Sequence, residues 1–452
     1  MNRRDFLKIT AILAGAVAIN GCGLSEDGDE TIIVVGAGIA GLSAAQTLRK
    51  WGYKVVVLEA RSRIGGRIWT SRKWEDAPLD LGASWIHGVS GNPIAKLAKE
   101  HRIETVETDY ENQWIYKADG SELTNAEYAT LEEYESTITE YIEEAIWERD
   151  DDAPLKAILD AVLSNEGASD DEKQIILYLL NTIVEHEYAA DISELSLFTF
   201  DEGDEYGGED VIFPGGYEQI IEILADCLDI RLDETVQRVE YQGSGVSIHT
   251  NKGIYEGDRA VITLPLGVLK KGKVDFFPPL PSEKQDAIRN LGMGLLDKSY
   301  LRFPNIFWPK EAELLGYLGV NKGEWAEWLN IAHYTDEPIL LGFNAATFAR
   351  KVDGWSDQQI VDSAMAALRN MYGANIPDPL DWQITRWADD SFSWGSYSYL
   401  APGTNSKTLK ELARPVEEKL FFAGEATSSD YQATVHGAYL SGIRAAEEIW
   451  DA

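Results

Sequence analysis

An unbroken apolar run opens the pattern of the chain. Thr31, Ile32, Ile33, Val34 and Val35 are all β-branched, with no polar alternation, which suits a strand buried on both faces of a parallel sheet. Three glycines follow, and the apolar spacing then predicts a helix over 42–51 and a second strand over 53–58. Acidic amphipathic patterns predict helices over 126–149 and 171–188, inside a helical region from about 101 to 197. A helix over 217–228 returns the chain to strand-like segments at 230–232, 235–242, 245–250 and 259–264. Aromatic-rich strands between Tyr300 and Phe343, a helix over 356–372, a short buried strand at Phe421 and Phe422 and a last helix opening at Thr434 complete the pattern.

The first strand, turn and helix carry chemistry. Gly36 permits a sharp turn, Gly38 removes the Cβ between backbone and a pyrophosphate, and Gly41 lets the helix pack closely on the strand. Phosphates then meet a helix N-terminus, where free N–H groups and the dipole stabilise anions. Glu59 ends the second strand 18 residues beyond Gly41, placed to accept ribose hydroxyls. Its charge disfavours a ribose 2′-phosphate. Unphosphorylated ADP-ribose is therefore expected, as in FAD or NAD.

Charge bears on partners more than on fold. The 452 residues hold 40 Lys and Arg against 76 Asp and Glu, a net −36. Nucleic acid needs the opposite sign and is not expected, whereas a cationic ligand is attracted. Of the two cysteines, Cys227 is the only thiol beyond the first 22 residues, which leaves no disulfide framework, and six scattered histidines leave no case for a metal. Residues 2–8, with Arg3 and Arg4, followed by an apolar stretch at 9–19, resemble a twin-arginine export signal. Cleavage after Ala18 and lipidation at Cys22 both stay open. Either implies a protein that is periplasmic or anchored on the outer side of the inner membrane, with 23–30 as a polar linker.

Taken together, the two glycine clusters (Gly36 to Gly41; Gly65, Gly66), DLGASWIHG, FPGGYEQI, TLPLGVLK, GMGLLDK, TRW with GSYSY, and FFAGEATSSDYQATVHGAYLSGIRAA resemble the flavin-dependent amine oxidases, in their polyamine oxidase and spermine oxidase branch. The resemblance runs from about residue 31 to 450. It implies an α/β fold, α+β overall, with a Rossmann-like FAD-binding domain from 31–100, 205–294 and 393–452 and a mixed sheet-and-helix substrate domain from 101–204 and 295–392. It implies that Gly36, Gly38 and Gly41 hold the pyrophosphate of FAD and Glu59 the adenosine ribose. Arg61, Gly66 and Arg67 lie on the phosphate and flavin side, Gly82, Ala83, Ser84 and Trp85 along the isoalloxazine, and Val236 at the adenine. Trp387 packs beside the flavin, and Gly424, Glu425, Thr434 and Val435 form the far side of the cofactor site. Lys298 matches the lysine that holds a water against flavin N5, Tyr397 and Tyr431 the aromatic pair flanking the substrate amine, and His87 and Glu187 polar groups near the substrate tunnel.

The implied reaction is oxidation of a polyamine by dioxygen, giving an aldehyde, a shorter amine and hydrogen peroxide. An L-amino-acid or monoamine oxidase is the alternative. No arginine can be assigned to clamp an amino-acid carboxylate, and the negative charge favours a di- or polycation. A catalytically silent flavin-binding protein is the remaining reading, against which Lys298 and both tyrosines stand.

Overall fold

The computed structural model describes residues 30–158, 160 and 169–452. At its centre lies a five-stranded parallel sheet in the order Leu420–Phe422, Arg259–Ile262, Thr31–Val35, Lys54–Leu58, Asp229–Arg231. The apolar run at its middle has no solvent face. Ile32 and Val34 pack with Leu42, Leu48 and Ala445 on one side, and Ile33 and Val35 pack with Val239, Ile248 and Phe422 on the other. This is why the strand shows no alternation. The helix Ile39–Lys50 follows directly from the glycine turn, three residues earlier than predicted.

A second sheet, Ile254–Gly257, Val246–Thr250, Val236–Glu240, Asp275–Phe277, covers the Ile33 face. A third, six-stranded sheet runs Asp381–Ile384, Leu296–Arg302, Ile339–Ala345, Glu327–Asn330, Leu314–Leu318, Gln113–Lys117. Its middle strands Leu314–Leu318 and Ile339–Ala345 are buried throughout. Against it lie Asp357–Tyr372 and the helical run Asp170–Leu179, which continues through a π-helical turn Leu180–Glu185 into His186–Tyr188. Trp74, Leu79 and Leu81 join Tyr300, Leu341 and Phe343 in one cluster, so the loop before Gly82 packs against this sheet.

The long acidic helix Asn125–Glu148 buries only Ile138, and Thr124 begins it with a capping box to Glu127. Its acidic residues are solvated, as the charge pattern predicts. Two expectations are corrected. The helix predicted over 217–228 is Glu218–Ala225, because the chain must leave it to place Asp229 beside Val56; Gln46 Nε2 donates to the Leu224 and Asp226 carbonyls at that end. Cys227, beyond the helix at φ 58°, is disulfide-bonded and not a lone thiol.

Candidate active site

The glycine turn divides its steric tasks between positions. Gly36 has φ 105°, and a Cβ on Gly41 would stand 2.0 Å from the Gly36 carbonyl oxygen, whereas one on Gly38 would meet nothing within 4 Å. Gly41 therefore serves packing and Gly38 leaves space. The helix starting at Ile39 has no side-chain cap and no acidic residue in its first turn, so its N–H groups and dipole are unopposed. The second glycine cluster docks here: Gly65 bridges to Gly38 and donates to the Ala37 carbonyl at 2.8 Å.

Glu59 is buried at the strand end, where its Oε2 and Oε1 accept from the Ala37 and Arg61 N–H groups, each at 2.8 Å. Burial raises its pKa, opposed by those bonds. Each carboxylate oxygen retains acceptor capacity for a hydroxyl. Arg61 forks onto Asp390 with two 2.8 Å bonds, and Arg67 donates to the Ser396 carbonyl at 2.7 Å and to Glu425 at 2.9 Å. Glu425 also accepts from the Ser398 hydroxyl at 2.6 Å. These three charged groups thus brace protein segments against each other.

Val236 is buried opposite Thr250 at the start of its strand. Gly424, at φ 134°, has open space at its Cβ position and donates to Ser441 Oγ. Thr434 caps the helix Val435–Asp451 by accepting from the Gly437 N–H at 2.9 Å. Open backbone at Gly38 and Gly424, an uncapped helix start and a buried acceptor at Glu59 fit an extended adenine dinucleotide.

At the other end of the site, Lys298 sits in the strand Leu296–Arg302, 4% exposed. Its Nζ donates to the Asp80 carbonyl at 3.0 Å, the Gly82 carbonyl at 2.6 Å and Ser84 Oγ at 2.5 Å, and lies 5.8 Å from the Trp85 ring centre. All three donors land on protein oxygens of the 80–84 segment. Burial lowers the Lys298 pKa and raises that of Asp80, while their opposite charges limit both shifts. Ala83 N–H donates to the Arg67 carbonyl at 3.2 Å, and a Cβ on Gly82 would stand 1.7 Å from that same oxygen. Trp387 donates from Nε1 to the Leu81 carbonyl at 3.3 Å. Behind it, buried Asp297 accepts from Thr385 Oγ1 at 2.7 Å and from the Trp387 N–H at 3.0 Å, and burial pushes its pKa up to about 6.

Aromatic and acidic groups gather beyond this segment. Tyr397 donates its hydroxyl to the His186 carbonyl at 2.7 Å. Tyr431 stacks on Tyr206 at 4.8 Å and 8°, with His436 edge-on to both. Burial, then the charge of His87, pushes the His436 pKa down to about 4, so that ring is neutral near pH 7. His87 Nδ1 lies 2.7 Å from Asp210 Oδ2, which also accepts from Tyr110 at 3.3 Å. Removal from water pulls the His87 pKa down, but Asp210, Glu187 and Glu205 outweigh it and raise it. Glu187 is exposed, yet the surrounding protein screens it from enough water to raise its pKa, against the opposing charge of His87. Asp80, Asp210, Tyr206 and Asp297 escaped sequence reading. Asp80 and Asp297 could have been found as the acids of DLGASW and GMGLLDK; Asp210 and Tyr206 carry no local signal, because their partners are distant in the chain.

Residues 39–450 match the family described as flavin containing amine oxidoreductase. The chain is 36% identical over 439 residues to polyamine oxidase 4 of Oryza sativa subsp. japonica, covering 92% of this chain and 88% of that protein. To polyamine oxidase 2 of Arabidopsis thaliana it is 34% identical over 436 residues, covering 92% and 87%. It is also 37% identical over 445 residues to lysine-specific histone demethylase 1 homolog 3 of the same rice, covering 93% of this chain but only 54% of that protein; the chain spans about half the length of such relatives. These are plant proteins, which overturns the expectation of a bacterial export signal and a periplasmic location. The residues behind that expectation, 1–22, lie outside those described. With a family match across nearly its whole length and a glycine-lined site that fits the dinucleotide, the chain belongs to the flavin-containing amine oxidoreductases, and its cofactor is FAD.

Proposed function

We propose that this protein oxidises polyamines of the spermine and spermidine type, with oxygen as acceptor. The observation that carries this reading is the pairing of His87 with Asp210 at 2.7 Å, with Glu187 acting on both His87 and the half-buried Tyr397, in a chain of net charge −36. Carboxylates next to aromatic rings attract and hold alkylammonium groups. Polyamine oxidases among the relatives support it.

Held by Glu59 and the open backbone at Gly38 and Gly424, FAD would supply the hydride acceptor for the carbon beside the amine nitrogen and the route of its electrons to dioxygen. The residues of the chain prepare the substrate for that. An ammonium has no lone pair to assist hydride loss, so one proton must leave first; Glu187, a solvent-exposed carboxylate close enough to act on Tyr397 and His87, is the acceptor in this reading. Tyr397 and Tyr431 exclude water and confine the neutral amine. Lys298 holds the 80–84 segment in one conformation through its three hydrogen bonds, and Trp387, fixed by Asp297, walls it from behind. Glu59 and the glycine turn anchor the adenosine end, and Arg67 with Glu425 ties the middle of the cofactor site together. Water then hydrolyses the substrate imine to an aldehyde and a shorter amine, with hydrogen peroxide as coproduct. In this reading the segments 31–100, 205–294 and 393–452 act as the FAD-binding domain and 101–204 and 295–392 as the substrate domain.

The test is anaerobic mixing of the flavin-loaded protein with spermine, spermidine, their acetylated forms, tyramine, L-leucine and a methyl-lysine histone peptide. Bleaching of the flavin by polyamines supports the proposal. Bleaching by leucine, tyramine or the peptide, but by no polyamine, refutes it.

A further inference from the structure

One buried polar group beside Tyr397 has no hydrogen-bond partner. His186 follows the π-helical turn, is 7% exposed, and neither of its ring nitrogens makes a hydrogen bond. Buried polar atoms left unsatisfied are uncommon and destabilising. Its Nδ1 faces Glu327 Oε1 at 3.6 Å, too far for a hydrogen bond. Glu327 is 17% exposed at its side chain, and among the described residues no hydrogen bond reaches its carboxylate. An imidazole whose two nitrogens, one donor and one acceptor in the neutral ring, both lack partners thus shares one gap with a carboxylate that it does not reach.

The gap adjoins the reaction site. The His186 carbonyl accepts from Tyr397, and its ring lies 6.1 Å from Phe343. Phe343 lies opposite Lys298 across the sheet and 6.1 Å from Trp85. The Tyr110 phenol donates to Asp210 Oδ2 at 3.3 Å, and its pKa is raised by desolvation, then by Asp210, Glu187 and Glu327 in that order, so those three carboxylates stand around one phenol. His186 is also held in place. The preceding Glu185 accepts from Lys322 at 2.6 Å, Asn181 at 3.0 Å and the Ile192 N–H at 3.2 Å. That carboxylate is fully engaged by the protein, in contrast to Glu327.

We propose that Glu327 and His186 form a subsite for a second ammonium group of the substrate, distinct from the nitrogen whose neighbouring carbon is oxidised. This rests on the polyamine reading and deepens it. An alkylammonium has at least two N–H donors. One binds the Glu327 carboxylate; another binds the imidazole nitrogen that accepts in the neutral ring. A monoamine reaches neither group, so the pair discriminates by the second charge.

The experiment uses the flavin-loaded protein under anaerobic conditions. Diaminooctane, with an ammonium at each end, and octylamine compete in turn with spermidine for flavin bleaching. Wild-type protein should favour diaminooctane by about tenfold or more, the scale of one charge-assisted contact. Glu327→Gln should lose most of that preference while its affinity for octylamine stays the same. His186→Phe should lose part of it, and His186→Gln, which keeps an acceptor, should retain more than His186→Phe. An unchanged preference in Glu327→Gln and His186→Phe, or equal weakening of both competitors, overturns the subsite and reduces the pair to packing. Should one variant fail to retain flavin, the other decides. Bleaching by spermidine with no wild-type preference between the competitors also overturns the subsite but leaves the polyamine reading intact. Absence of bleaching by any polyamine overturns both.

Discussion

At the scale of the residue, Lys298 shows how position changes meaning. In the sequence it is one lysine of 40 basic residues; in the fold its ammonium is buried against the 80–84 segment with all donors used. Lys298→Met should keep bound FAD, whose adenosine end is held elsewhere, yet slow flavin reduction or reoxidation at least about tenfold, the lower end of effects for lost positioning. Stopped-flow absorbance on each half-reaction measures this, and unchanged rates in both would remove the role. Arg61, Arg67 and Glu425 are a contrast. The resemblance assigns them to the cofactor, whereas here each is already paired, with Asp390 or with one another, so they act by fixing the segments around the cofactor site.

At the scale of the element, the strand, turn and helix at the start of the sheet were legible because their signals are local. Two glycines of one turn should nevertheless respond oppositely. Gly38→Ala, with open space around its added methyl, should leave apoprotein stability nearly unchanged and weaken FAD binding. Gly41→Ala, with its methyl 2.0 Å from the Gly36 oxygen, should destabilise the apoprotein by about 1–3 kcal/mol or more. Denaturant titration of each apoprotein, with and without FAD, separates the two. Another element-level contact is Lys284, buried in Ser282–Asn290. Its ammonium donates to the Leu412 carbonyl at 2.5 Å, at the end of Ser406–Ala413, and lies 3.8 Å from the Phe422 ring centre. Burial, then Arg444, pushes its pKa down to about 7 from 10.5. The folded state therefore binds fewer protons than the unfolded state between those values, and stability from this group rises with pH across that window. Relative to Lys284→Met, wild-type apoprotein should gain stability from pH 7 to about 10; a flat difference would place the lysine's pKa near its ordinary value.

At the scale of the whole molecule, the net negative charge and the carboxylates Asp210, Glu187 and Glu327 around Tyr110 act in the same direction. The second-order rate constant for a polycation should fall as salt rises from about 0.01 to 0.15 M, where the screening length shrinks from about 30 to 8 Å. The rate for a terminally diacetylated analogue, which keeps a single charged amine, should change much less, and equal salt dependence for both would exclude steering. The sequence by itself determined the dinucleotide half of the protein. β-Branched runs, glycine spacing and a terminal Glu59 are patterns over a few tens of residues, and each follows from backbone sterics and burial on both faces of a strand. The catalytic half was legible as separate motifs, but their meeting was not. Lys298 reaches Ser84, Tyr397 reaches His186, and Asp210 reaches His87 only because three sheets and the helical run pack together. Glu327 and His186 carry no motif at all. Only the tertiary structure decided that one would remain without a hydrogen bond and the other without a partner, since that depends on what the rest of the chain fails to place between them.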